Sequence, residues 1–413
     1  MTNRSIYHQL GSKRLEQLDG LRGLCSLSVL INHALAIPFT YGPLIGYEYP
    51  ELVTVFQAIG AVSVIIFFVL SGFVIGYTTP PKHTTEEAKK YVLRRLIRLY
   101  PIYLFAIILT YLLSNQIPNL KDILGNLIFM QGWFVPIEHG NDSLWTLHYE
   151  FMFYLLFLLI WKFNLKIENV ILVCFYCAIL TIFFAFHPLA ILGYFTIWLA
   201  GYWLSQNLDY LALVNQDYLS YKFWSPLILI VISFMGIQEL LIHSMSLLAI
   251  PHPFPRPVFT DVIFSALAIS IVASLITKKK TPFYLISFVL ISLIRLGISI
   301  YAKSYHIYID NFTHSLWGLV ILSLSFFLRD IPVLFFKKLT FIGSFSYALY
   351  LVHYPILCLV NRLATIENIK SKLPFSLLTL TIIAIFISIF LAWFLECRLQ
   401  MKIAKNLKSY FEI

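Results

Sequence analysis

Apolar runs long enough to cross a bilayer recur down the chain, and no other feature restricts its folding as much. A span needs about 20 mostly apolar residues to cover a hydrocarbon core of roughly 30 Å. Windows of that kind fall at 18–37, 56–77, 95–114, 144–163, 168–187, 189–206, 223–243, 259–277, 282–301, 314–328, 342–361 and 374–396. With 59% hydrophobic and 12% charged residues and a mean hydropathy of +0.81, the chain lacks the polar groups a water-facing surface requires. The tenth window is short, so the expected fold is an all-α polytopic membrane bundle of about 11–12 transmembrane helices. A β-barrel would instead show alternating strands of about ten residues. Residues 1–17 read as an amino-terminal cytoplasmic segment, 18–396 as the transmembrane domain and 397–413 as a cytoplasmic tail.

Charge gives an independent check, because Lys and Arg in short loops collect on the cytoplasmic side. With the amino terminus inside, 22 of the 30 basic residues fall in inner segments and six in outer ones: Lys121, Arg256, Lys303, Arg362, Lys370 and Lys372. Arg22 and Arg295 lie within spans. An even span count then leaves both termini cytoplasmic. The net charge of +10 reflects this orientation and attraction to anionic lipid heads, and calls for no nucleic acid. The first apolar run is interrupted by charge and longer than a signal-peptide core, so it is expected to stay as a signal anchor. Cys174 and Cys177 form a C-x-x-C pattern with no second ligand pair, which points to packing and to no metal.

Ionisable residues inside spans cost about 2.5–3.5 kcal/mol at a helix centre and usually face a partner. The stretch "RLEQLDGLRGLCSLSVLINHALAIPF" carries Asp19, Arg22 and His33. Eleven residues at about 100° each bring Arg22 and His33 to one face, with Ser26 between them. Asp19 and Arg22 fit either a local i, i+3 pair near the headgroups or a polar stripe running towards His33. "SLWTLHYEFMFYLLFLLIW" places Glu150 roughly 9 Å below the outer end of its span, and His33 lies roughly 7–8 Å below its own, so the two are expected at one level. A carboxylate beside an imidazole fixes its tautomer and stabilises the imidazolium, which makes a general base. Asp19, Trp145, His148, Tyr350 and His353 form a candidate substrate pocket around them. At the inner side, Ser71 and Gly72 of "FFVLSGFVIGY" and Arg94, Arg95 and Arg98 of "KKYVLRRLIRLYP" gather. Ordinary inner-face charge explains them, and so does phosphate recognition by guanidinium forks.

"LDGLRGLCSLSVLINHALA", "IIFFVLSGFVIGY", "YVLRRLIRLYPIY", "SLWTLHYEFMFYLLF" and "IGSFSYALYLVHYPIL" occur in that order between residues 18 and about 360. Together they resemble the signatures of the acyltransferase 3 family, polytopic proteins that O-acylate surface polysaccharides. The "TLHYEFMFYLLF" form looks most like members that acetylate exopolysaccharide or lipopolysaccharide. The resemblance implies the bacterial cytoplasmic (inner) membrane, acetyl-CoA or another acyl-CoA as co-substrate with no tightly bound cofactor, and a glycan or lipid-linked glycan acceptor. It implies His33 as catalytic base, Glu150 as its essential partner, and Arg22, Arg95 and Arg98 as functional; Ser71 and Gly72, where a glycine lets a ligand approach closely, are added to the acyl-CoA end from their position in the second span. His148 stands where the family often has Ser or another small residue, so no role carries over to it. Some relatives continue into an extracytoplasmic hydrolase-like domain; this sequence stops at "CRLQMKIAKNLKSYFEI", so a second acyl-handling protein or the export machinery is the expected partner.

The expected mechanism is a tunnel. The arginines hold the nucleotide phosphates at the inner mouth, the pantetheine arm rises along the first span, and His33 activates an acceptor hydroxyl entering from outside. A covalent acyl-His relay is the competing chemistry. A proton-coupled transporter or lipid-linked sugar flippase is the alternative function, since buried His, Glu and Arg also build proton relays.

Overall fold

The computed structural model describes residues 16–47, 51–79, 84–114, 118–137, 140–184, 186–207, 216–217, 258–277, 279–280, 333–366 and 373–411. In chain order these form α1 (Glu16–Thr40), α2 (Glu51–Thr78), α3 (Thr85–Leu113), α4 (Leu120–Leu127), a 3₁₀ turn (Asp142–Leu144), α5 (Trp145–Lys162), α6 (Ile167–Leu180) and α7 (His187–Gln206). Then come β1 (Gln216–Asp217), α8 (Val258–Thr277), β2 (Lys279–Lys280), α9 (Val333–Gly343), α10 (Ser346–Ile366), α11 (Leu373–Phe394), a π-helical turn (Leu395–Gln400) and α12 (Met401–Phe411). The two short strands pair antiparallel, Gln216 opposite Lys280. The protein is an all-α polytopic membrane bundle, and among the described residues eight helical segments are long and apolar enough to span. The windows at 223–243, 282–301 and 314–328, and with them the full span count, lie outside the described residues.

One expected span differs. The window 168–187 yields α6, which ends at Leu180; a turn follows and α7 begins at His187 with Pro188 in its first turn. Proline there loses nothing, because the first amides of a helix have no partner. In α3 the reverse holds: the helix starts ten residues before the apolar window, at Thr85, where Thr84 Oγ1 accepts the Glu87 N–H at 3.2 Å. The "TTEE" sequence is an N-cap signal, so helix forms before hydrophobicity begins. Arg95 and Arg98 therefore sit well inside α3 rather than at its mouth.

Contacts divide the chain into two compact units. The first comprises residues 1–21, 64–79 and 165–340, and in it α7 packs between α6 and α8. There α2 and α7 meet through small residues: a Cβ on Gly72 would lie 1.8 Å from the Trp198 carbonyl oxygen, and one on Gly201 would lie 2.0 Å from that of Val69. Close backbone approach of this kind is how helices gain dispersion contacts in lipid.

The second unit comprises residues 22–63, 80–164 and 341–413. Here α10 packs on α11 and α3. Both α3 and α10 carry an internal proline, and each proline leaves the carbonyl four residues earlier without its amide. A side-chain amide fills each gap. Gln400 Nε2 donates to the Ile97 carbonyl at 2.5 Å beneath Pro101, and Asn141 Nδ2 donates to the Leu351 carbonyl at 3.0 Å beneath Pro355. Facing away, α11 presents Leu378, Ile382, Phe386, Phe390 and Phe394, all exposed at four-residue spacing, which is a stripe for lipid.

Candidate active site

His33 on α1 and His353 on α10 stack, ring centroids 5.0 Å apart and planes within 9°. His33 Nδ1 lies 2.7 Å from His353 Nε2, and His353 Nδ1 lies 2.8 Å from the Leu349 carbonyl oxygen. A carbonyl only accepts, so His353 Nδ1 carries a hydrogen and its Nε2 a lone pair. The hydrogen between the rings then belongs to His33 Nδ1. His33 Nε2 is left as a lone pair, the form a general base requires. Tyr354 closes one side, its ring edge-on to His33 at 4.9 Å. Tyr350 lies near the other ring, 6.2 Å from that of His353.

The hydrogen-bond partner of His33 is thus His353 and not Glu150, whose pairing with His33 the sequence had led us to expect. The reason is the register of α5 against α3. Tyr91 packs on Tyr154, Phe157 and Trp161, which sets Arg95 beside Tyr154, with Cζ 5.9 Å from its ring centroid. Tyr154 donates to Glu150 Oε1 at 2.5 Å, and Glu150 acts electrostatically on both Arg95 and Arg98. Glu150 therefore belongs to the arginine station.

That station has a further carboxylate the sequence reading missed. Glu396 sits on the π-helical turn, where the wider helix re-aims side chains. Its Oε2 accepts the Ala348 N–H at 2.8 Å, and Arg98 and Arg22 both act on its charge. Arg98 is exposed, and Tyr154 and Glu150 of α5, Tyr347 of α10 and Glu396 of the π turn act on its charge. A signal existed, since Glu396 is an ionisable residue at the last position of an expected span.

A second missed group lies one ring beyond His33. Asp142 Oδ2 accepts from Tyr354 Oη at 2.6 Å and from Tyr41 Oη at 3.1 Å. Desolvation of its hydroxyl, then the Asp142 charge, push the Tyr41 phenol up to about 12, so it stays a donor. The adjoining Asn141 is buried; its amide also reaches Thr110 Oγ1 at 3.1 Å, and its oxygen accepts from Ser143.

The remaining candidates separate. His148 Nδ1 donates to the Phe129 carbonyl at 2.5 Å, holding a loop in which Phe129 takes φ 62°. Trp145 is edge-on to Tyr149, 5.6 Å away. In the first unit, Ser71 Oγ accepts from Trp198 Nε1 at 3.1 Å, Gly72 admits the α7 backbone, and Asp19 is buried.

Comparison with known proteins bears on the chain as a whole. An acyltransferase from Streptomyces mycarofaciens, MdmB, is 29% identical over 165 residues, which is 37% of this chain and 41% of that protein. The chain thus spans about two fifths of the length of that curated relative. No solved structure matches. The acyltransferase 3 family model, described as an acyltransferase domain, matches residues 15–397, and with nearly the whole sequence so covered the chain belongs to that family.

Proposed function

We propose that this membrane acyltransferase moves a short acyl group, acetyl in the simplest case, from cytoplasmic acyl-CoA to a hydroxyl of an exported glycan or lipid-linked glycan, in a bacterial inner membrane. The observation that carries the reading is the fixed hydrogen-bond chain that leaves His33 Nε2 as an acceptor. His33 Nε2 takes the hydroxyl proton as the sugar oxygen attacks the thioester carbonyl. The tetrahedral adduct collapses, the C–S bond breaks, and the imidazolium returns the proton to the departing CoA thiolate. While charged, His33 keeps its Nδ1–H bond to His353, which in turn is held by Leu349, so the cation is stabilised without ring rotation.

Arg22, Arg95 and Arg98 supply guanidinium forks for the CoA phosphates. Glu150 and Glu396 aim them, and phosphate oxygens take over where those carboxylates leave donors free. Ser71 and Gly72 are structural in this scheme, as helix-packing residues.

The test uses purified protein reconstituted in sealed proteoliposomes with radiolabelled acetyl-CoA and candidate glycans. Alkali-labile label on glycan, lost in His33→Ala, is expected. Label crossing the membrane without ester formation would make the protein a transporter instead, and normal turnover by a folded His33→Ala variant would remove His33 from the chemistry.

A further inference from the structure

Asp142 has no part in the chemistry above, yet it stands one tyrosine ring from His33. Its setting differs from that of the other two carboxylates. Glu150 and Glu396 face guanidiniums. Asp142 forms no ion pair among the described residues; two phenols donate to its Oδ2, and Oδ1 accepts no hydrogen bond there.

We propose that Asp142, with Tyr41 and Tyr354, forms the subsite that binds the sugar acceptor, Oδ1 accepting from one hydroxyl while a neighbouring hydroxyl meets His33 Nε2. This rests on His33 acting as the base.

Three features support it. An ionised carboxylate has about four lone-pair positions, and two phenols on one oxygen leave the other oxygen open to a donor. The phenols donate inward, which lowers the pull on a cation and leaves an acceptor suited to a neutral hydroxyl; such charge-assisted bonds are roughly twice as strong as neutral ones. The group is also preorganised. Asn141, next in chain, is anchored to both α3 and α10 through Thr110 and Leu351, so the carboxylate needs no reordering on binding. Tyr41 is 42% exposed and offers a ring face beside the carboxylate, against which the apolar edge of a pyranose can lie.

The experiment is saturation-transfer NMR on wild type and Asp142→Asn in nanodiscs free of sugar-based detergent, with methyl α-D-glucopyranoside and methyl α-L-rhamnopyranoside as probes. Wild type should bind at least one probe, and Asp142→Asn should bind it at least tenfold more weakly. Equal binding by the variant, or no binding of either probe by wild type, overturns the subsite. Should Asp142→Asn fail to give a monodisperse protein, Tyr41→Phe at the exposed position carries the test: severalfold weaker binding is expected, and unchanged binding overturns the proposal. Acetyl-CoA turnover by wild type is measured alongside. Asp142-dependent sugar binding without any acetyl transfer keeps the subsite and removes acetyl-CoA as donor, so the two readings fail separately.

Discussion

In the proposed mechanism one nitrogen of His33 carries the chemistry, and the bond to His353 selects which nitrogen that is. His353→Gln keeps a polar group of similar reach but removes the ring that takes the Nδ1–H. Turnover should fall about 100-fold, on the scale of a lost acid–base group. The KM for acyl-CoA should stay near wild type, because His353 touches no phosphate-binding residue among its contacts. Steady-state kinetics with acyl-CoA varied separates the two parameters, and a KM effect of the same size as the kcat effect would assign His353 to donor binding. At the other station, Arg98→Ala should raise the KM for acyl-CoA about tenfold, and Arg98→Lys should not restore it, since a point charge cannot reproduce the planar fork. Full rescue by lysine would reduce Arg98 to a general positive charge.

Helices carry these residues into place, and in α3 and α10 a proline removes an amide from the ladder. Gln400→Leu strips the Ile97 carbonyl of its donor and should cost about 1–3 kcal/mol, read as a lower thermal midpoint in detergent. An unchanged midpoint would mean that water or a neighbouring group satisfies the carbonyl. Gly72→Val should be worse, because its Cβ overlaps the α7 backbone and neither helix can yield as a flexible side chain would. Eight of the expected spans were legible in the sequence, because lipid demands long apolar runs, whereas the run at 168–187 imitated a span and is broken by a turn after Leu180. Ions within those runs were legible for the same reason, which is how Arg22, His33, Glu150 and the α3 arginines came to notice. Partner choice was not. His33 had Glu150, His148 and His353 at similar expected depth, and the rotation and register of α1, α5 and α10 select among them. Those depend on packing, as the Tyr91 contacts with Tyr154 and Trp161 show. Asp142 escaped because "HGNDSL" reads as an ordinary polar loop until Tyr41 and Tyr354 are brought to it from distant segments.

For the molecule as a whole, the lopsided distribution of Lys and Arg predicts which way the stations face. Lys121→Cys, on an outer segment, should react with a membrane-impermeant maleimide in intact cells, whereas Lys166→Cys should react only after lysis. The opposite labelling pattern would invert the bundle and put the arginines on the wrong side for a cytoplasmic donor. Family membership covers residues 15–397 and accounts for acyl transfer in general.

Asn141 links the ring pair and the carboxylate: its amide caps the Leu351 carbonyl of α10, two residues from His353, while its chain neighbour is Asp142. Asp142 is thus one backbone link from the residue whose amide is bonded to the segment that carries the ring pair. If the proposed subsite holds, substitutions at Tyr41, which bonds to Asp142 and not to the His33–His353 pair, are expected to change sugar preference while sparing the ring pair.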